Sequence, residues 1–223
     1  MTIKIITMIG DNYGSALQAY ALQNIIKKLG GQTSTICLRP KSYFLRFLRT
    51  YLIPTQYDSF SNKIRKAQAD FINRKKREKV KCFWNQNIVL ERVDRLEDTI
   101  SKDGILTTYV CGSDQIWNPQ FQPNTLFYLD SPIIQNCLKF SYAASIASEK
   151  LNDNQADYFS KKLNSFNCIS VREMTGKKLL KEILDKDIRV DVDPVLLEDI
   201  ACWNKMKSNR FCNEKYILLY MLR

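Results

Sequence analysis

Lys4-Ile5-Ile6-Thr7-Met8-Ile9, then Gly10-Asp11-Asn12-Tyr13-Gly14-Ser15, then Ala16 to Leu29 read in turn as a buried strand, a tight turn and an amphipathic helix. This junction decides the fold class, because a strand feeding directly into a helix is the opening unit of an α/β sheet. Gly10 and Gly14 are expected to supply backbone freedom and close approach, and Ser15 to cap the first helical turn. Leu22, Ile25, Ile26 and Leu29 form the expected apolar face, and Gly30-Gly31 stops the helix. Such a junction leaves N–H groups and the positive end of a helix dipole at the carboxyl edge of a sheet, which suits an anionic ligand as well as plain packing. The turn matches neither the GxGxxG fingerprint nor a Walker loop.

Outward from the junction, Thr33 to Leu38 reads as a second strand closed by Pro40, and Thr107 to Cys111 and Leu138 to Ala144 as central strands. A helix follows over Asn152 to Leu163, then a strand over Asn167 to Val171 ending at Arg172-Glu173. Thr175 opens a helix from Gly176 to Leu184, and Ile188 to Val192 is a strand closed by Asp193-Pro194. The alternation predicts a Rossmann-like parallel sheet flanked by helices over residues 1–202. A helical insertion occupies about 39–84, helical from about Ser59 to Trp84. Trp203 to Glu214 is linker-like, and Lys215 to Leu222 reads as a fresh strand. That strand is either an added edge or the first strand of a second, truncated domain over residues 203–223.

The chain has 223 residues, of which 45% are hydrophobic, ample for a core. No run approaches the roughly 20 apolar residues of a membrane span, and the N-terminus lacks signal-peptide features, so a cytoplasmic location is expected. The seven cysteines, Cys37, Cys82, Cys111, Cys137, Cys168, Cys202 and Cys212, form no CxxC pair and read as free thiols rather than metal ligands. There is no histidine. A general acid or base near neutral pH must therefore be a carboxyl, a lysine, a tyrosine or a shifted cysteine, or come from another chain. The net charge is +11, and Arg39 to Lys81 holds 13 Lys or Arg against 3 Asp or Glu. That segment, interleaved with aromatic residues, reads as a solvated helical insertion or as a patch for an anionic surface such as membrane lipid, acidic polysaccharide or nucleic acid.

Gly112-Ser113-Asp114-Gln115-Ile116-Trp117-Asn118-Pro119 follows a predicted strand, so its side chains emerge where open α/β sheets bind ligands. Asp114 suits orienting or deprotonating a sugar hydroxyl, Ser113 and Gln115 suit hydrogen bonding to one, and Trp117 offers a face for a sugar ring. A capped turn over a core tryptophan explains the same run. Ser141-Tyr142-Ala143-Ala144-Ser145 and Ser170-Val171-Arg172-Glu173 also lie at strand ends. Arg172 either grips a phosphate or carboxylate or forms an ion pair with the adjacent helix or Glu173.

These runs, with Asn12-Tyr13-Gly14-Ser15-Ala16-Leu17-Gln18-Ala19-Tyr20-Ala21-Leu22-Gln23 before them and Asp193-Pro194-Val195-Leu196-Leu197 after, resemble the polysaccharide pyruvyl transferase family in order and spacing. The resemblance spans nearly the whole chain except the basic insertion. It implies a fold like the N-terminal half of a two-domain GT-B glycosyltransferase, with a cleft between the halves. The implied reaction moves an enolpyruvyl-derived unit from phosphoenolpyruvate, the donor substrate, to sugar hydroxyls of an exopolysaccharide or cell-surface glycan. It gives a pyruvate ketal and needs no cofactor. Asp114 and Arg172 are the implied catalytic residues. Asn12, Tyr13, Gly14, Ser15, Ser113, Gln115, Trp117, Ser145 and Glu173 are the implied binding residues.

The chain departs from the family pattern in two respects. The family's second half carries a histidine and further basic residues near the donor, and neither that half nor any histidine is present in this sequence. Ala147 stands where the family commonly has glycine. An isolated first half is expected to be a poor catalyst. Two other readings compete: a GT-B-type glycosyltransferase using a nucleotide sugar, and a non-catalytic module binding polyanion or membrane through Arg39 to Lys81, with nucleic acid the less expected partner. The expected partners are phosphoenolpyruvate and a glycan or lipid-linked sugar, with peripheral contact to anionic membrane.

Overall fold

Strands and helices alternate along the chain as β1 (Thr2–Ile6), α1 (Tyr13–Lys28), β2 (Gln32–Leu38), α2 (Arg74–Asn87), β3 (Leu90–Val93), β4 (Thr107–Cys111), β5 (Leu138–Ser141), α3 (Asp153–Leu163), β6 (Ile169–Val171), α4 (Met174–Ile183), β7 (Ile188–Val190), α5 (Pro194–Leu197) and α6 (Ile200–Met206). These come from a computed structural model describing residues 2–38, 73–100, 107–121 and 125–207, with 215, 217 and 219. The first five strands form a parallel sheet in the order β3-β2-β1-β4-β5. The parallel pair β6–β7 continues it through the single bridges Phe140 to Cys168 and Ala144 to Val171. This is the mixed α/β, Rossmann-like architecture expected from the alternation. No helix among the described residues is long and apolar enough to cross a membrane.

Where β5 meets β6, serine hydroxyls supplement the backbone bonds Asn167 N to Lys139 O (2.8 Å), Ser141 N to Cys168 O (3.1 Å), Ala144 N to Ser170 O (3.1 Å) and Arg172 N to Ala144 O (3.1 Å). Ser141 Oγ donates to Ser170 O (3.0 Å) and accepts from Ser170 N (2.9 Å), while Ser170 Oγ accepts from Ala143 N (3.0 Å). Side-chain bonds thus satisfy buried peptide groups that the irregular pairing leaves over.

Most element boundaries fall within a few residues of expectation, and the departures have identifiable causes. β1 ends at Ile6 rather than Ile9, because Thr7 leaves the ladder to donate its hydroxyl to Ser113 O (3.2 Å). α1 begins at Tyr13 with Asn12 as its cap, the Asn12 carboxamide accepting from Gly14 N (2.9 Å), so Ser15 is not the cap. Leu29 is 82% exposed, and the buried face of α1 consists mainly of Ala16, Ala19, Ala21 and Leu22 with two glutamines. Small residues let this helix lie close to the sheet. Gly10 and Gly14 do not need to be glycine: a Cβ at Gly10 meets nothing within 4 Å, and one at Gly14 makes only ordinary contact.

β3 escaped the sequence reading. It is four residues long and half charged, and its Glu91 is held by Lys4 and Ser34 across the sheet. Trp203 to Met206, expected as linker, belongs to α6, whose Asp199 cap accepts from Ala201 N (2.8 Å) and whose Trp203 ring lies 5.9 Å from that of Tyr20. β7 ends at Val190 rather than Val192, and Asp193 serves instead as the cap of α5. The insertion's residues 39–72 and most of the Lys215 to Leu222 run lie outside the described residues. The basic run Arg74-Lys75-Lys76-Arg77 opens α2, which packs Val80 and Trp84 against Ala16 and Ala19 of α1.

The largest core cluster is centred on Trp117, with Tyr128 stacked at 6.4 Å between ring centroids and Phe166 edge-on at 5.8 Å. α5 is fastened to α1 through Glu198, whose side chain is buried and bonded by Lys28, Asn24 and the Asp199 N–H. Burial alone would raise the Glu198 carboxyl, but these hydrogen bonds outweigh it and hold it below its ordinary value.

Two outcomes follow from these contacts. Gly112 has φ +115° and its Cβ would sit 2.3 Å from Tyr142 O, so Gly112→Ala lowers stability by roughly 3–5 kcal/mol in urea unfolding, whereas Gly10→Ala stays within about 0.5 kcal/mol. Because the Glu198 pKa is depressed on folding, its contribution is present above the ordinary value of 4.5 and is lost as pH falls through the folded value. The Tm gap between the wild type and Glu198→Gln, open at neutral pH, therefore closes on acidification.

Candidate functional site

From β1 the chain crosses to β2 on one side, while β4 lies on the other, so the order reverses between β1 and β4. The loops after these two strands part at the carboxyl edge, the position where open α/β sheets hold ligands. The buried Gln18 of α1 spans the gap. Its Nε2 donates to Thr7 Oγ1 (2.8 Å) and Ser15 O (2.9 Å), and its Oε1 accepts from Ser113 N (3.0 Å). Gln18 and Thr7 were absent from the expected site set, although Gln18 stands inside the Asn12 to Gln23 run.

Asp114 is where the two loops meet. It adopts φ +76°, its Oδ1 accepts from Gln115 N (2.8 Å), and its Oδ2 accepts from the Ser15 hydroxyl. Each carboxylate oxygen retains a lone pair for a further donor. Asp114, Gln115, Ser15 and Asn12 line one hollow of about 260 Å³, together with Met8 and Phe121. The structure thus brings together four of the expected residues.

Others serve the framework. Trp117 is 0% exposed and its Nε1 donates to Phe127 O (3.0 Å), so it is a core residue rather than a platform for a sugar ring. Ser113 is fully buried, its single hydroxyl proton shared between Ala143 O (2.9 Å) and Asp193 Oδ2 (3.2 Å). Ser145 is buried too and donates to Glu173 Oε1 (3.0 Å), which also accepts from Ile146 N (2.7 Å) and Ala147 N (2.9 Å). Glu173 thereby clasps the loop after β5. Within that loop Ala143 (φ +46°) and Ala147 (φ +49°) are left-handed, which accounts for glycine being favourable at position 147. Tyr13 is exposed, with Lys76 Nζ 6.0 Å from its ring centroid, and the N–H of Gly14 is taken by Asn12.

Arg172 does not line the Asp114 hollow. Its Nη1 donates to Asp193 Oδ2 (3.1 Å), so its ion pair is with Asp193 rather than Glu173, and its side chain is about a third exposed. Asp193 also receives Ser113 and caps α5 through Val195 N (3.0 Å), which makes it the link between Arg172 and the Asp114 loop.

Two larger hollows adjoin the first. One of about 450 Å³ shares Met8, Gln115 and Phe121 with it and adds Asn118, Gln155 and Tyr158. The Tyr158 hydroxyl is buried without a hydrogen-bond partner among the described residues, and burial raises its pKa. The other, of about 570 Å³, shares Ile9 and Gly10 and extends to the basic face of α2 and β3. Amide groups beside aromatic faces suit a sugar, and arginines suit an anion.

A family model described as polysaccharide pyruvyl transferase matches residues 12–223. No curated protein and no solved structure matches the chain.

Replacing Gln18 by leucine strips the Ser113 N–H and the Thr7 hydroxyl of a buried partner, and stability falls by about 2–4 kcal/mol in urea unfolding.

Proposed function

The chain belongs to the polysaccharide pyruvyl transferase family, and we propose that it acts in pyruvyl transfer from phosphoenolpyruvate to a glycan sugar whose hydroxyl is received by Asp114. The observation carrying this reading is the Asp114 carboxylate, fixed by Ser15 and Gln115 N at the chain-reversal point and lining a hollow that adjoins one lined by amides and aromatics.

In the balanced reaction one sugar oxygen bonds to the enol carbon while a proton reaches the methylene, and a second sugar oxygen displaces phosphate, whose departure carries off the remaining proton. Asp114 takes the proton from the attacking hydroxyl. Gln115, and the amides and aromatic faces of the adjoining hollow, orient the sugar. Arg172, with only Nη1 engaged among the described residues, offers its remaining N–H groups to the donor's carboxylate or phosphate, and Asp193 sets its direction. Arg172 and Asp114 lie on different strands on the same edge of the sheet, which suits a donor and an acceptor approaching from two sides.

Asp114→Asn retains the shape and the Ser15 contact but cannot take a proton, so kcat for ketal formation falls about 10²–10⁴-fold with the Tm unchanged. Phosphoenolpyruvate raises the wild-type Tm and UDP-glucose does not. Undiminished turnover by Asp114→Asn, or protection by UDP-glucose alone, overturns the assignment.

A further inference from the structure

The 450 Å³ hollow beside Asp114 is built without charge. The amides of Gln115, Asn118, Asn154 and Gln155 stand around it with the rings of Phe121 and Tyr158, and no lysine, arginine, aspartate or glutamate lines it, although the chain carries a net charge of +11. At about 260 Å³ the Asp114 hollow is smaller than small-molecule sites, which run from about 300 to 1,000 Å³, whereas the 450 Å³ hollow lies inside that range. The two share Met8, Gln115 and Phe121, so a ligand held at Asp114 extends naturally into the larger one.

One polar group there is left over. The Tyr158 hydroxyl is buried and has no hydrogen-bond partner among the described residues, while its ring is seated edge-on to Tyr128 at 5.1 Å. Lys162, whose Nζ lies 5.8 Å from the centroid of that ring, is paired with Asp130 (2.5 Å) and does not line the hollow. An orphaned buried hydroxyl costs stability that a ligand's polar group would restore.

We propose that this hollow receives an uncharged sugar ring adjacent to the ring whose hydroxyl Asp114 takes, and that it excludes an anionic neighbour. The proposal rests on the acceptor reading above. Amides and the Tyr158 hydroxyl match sugar hydroxyls, and aromatic faces match the apolar side of the ring. A lipid chain would strip the amides of water and give nothing in return. A carboxylate, sulfate or phosphate on this ring would lose its hydration without gaining a cation, and would do so beside the Asp114 carboxylate. Any reaction that places such a group on the neighbouring sugar therefore follows pyruvyl transfer. A pyruvate ketal carries a carboxylate too, so two adjacent rings are not both modified.

The test uses the full chain on an array of mono- to tetrasaccharides that includes pairs differing only in a glucose or a glucuronic acid at the neighbouring position, with the tightest binder then titrated calorimetrically. Wild type retains oligosaccharides above monosaccharides and, in each pair it binds, the neutral member. Tyr158→Phe weakens the titrated glycan about three- to tenfold, and its urea midpoint stays level or rises, since the hydroxyl removed had no protein partner. Asn154→Arg, at an exposed lining position, admits the glucuronic acid members. Absence of glycan binding by wild type, equal retention of mono- and oligosaccharides or of both members of a pair, unchanged affinity in Tyr158→Phe, or continued exclusion of glucuronic acid by Asn154→Arg overturns the proposal. Selective glycan binding with no ketal formed from phosphoenolpyruvate defeats only the functional assignment above.

Discussion

One buried carboxamide holds the carboxyl edge together. Gln18 bonds the loop after β1 through Thr7 and the loop after β4 through Ser113, so the two walls of the cleft are fixed relative to α1 and to each other. Direct bonds between the loops work beside it, Thr7 Oγ1 donating to Ser113 O (3.2 Å) and Ser145 N to Asp114 O (2.9 Å), and together they set the height of Asp114 above the sheet. The same helix uses Gln23 in a similar way farther out, its Oε1 accepting from Val89 N (2.8 Å) and its Nε2 donating to Thr35 Oγ1 (3.1 Å), which seats the entry to β3. Glutamines on the inner face of α1 thus act as short pieces of strand.

The sheet was legible because buried parallel strands are continuous apolar runs punctuated by glycine and polar turns, as at Thr107 to Cys111 and Leu138 onward. β3 was not, because Glu91 and Arg92 occupy half of it and its stability comes from partners distant in sequence. Glycine follows a related rule. Gly10 and Gly14 are the conspicuous pair in the sequence, yet the position that excludes a side chain is Gly112, where the obstacle is the Tyr142 carbonyl just after β5.

The candidate site divided along the same line. Ser15, Asp114 and Gln115 face a hollow and could be named from position alone, since residues directly after a strand emerge at its carboxyl edge. Trp117, Ser113, Ser145 and Glu173 stand in equally distinctive runs but turn inward, and no local pattern distinguishes a motif that builds a loop from one that presents it. Asp193 shows the converse: an ordinary Asp-Pro turn in sequence, it receives both Ser113 and Arg172 once β4, β6 and β7 are side by side.

The hydroxyl-reinforced seam between β5 and β6 has a mechanical consequence. Backbone bonds such as Ser141 N to Cys168 O (3.1 Å) and Ala144 N to Ser170 O (3.1 Å) already join the strands, and the Ser141 and Ser170 hydroxyls occupy peptide groups that this ladder leaves over. Asp114 stands on one side of the seam and Arg172 on the other, tied across by Asp193, which receives both Ser113 and Arg172. Carboxylate and guanidinium are therefore carried by one doubly fastened frame, and the sheet rather than either loop sets their separation.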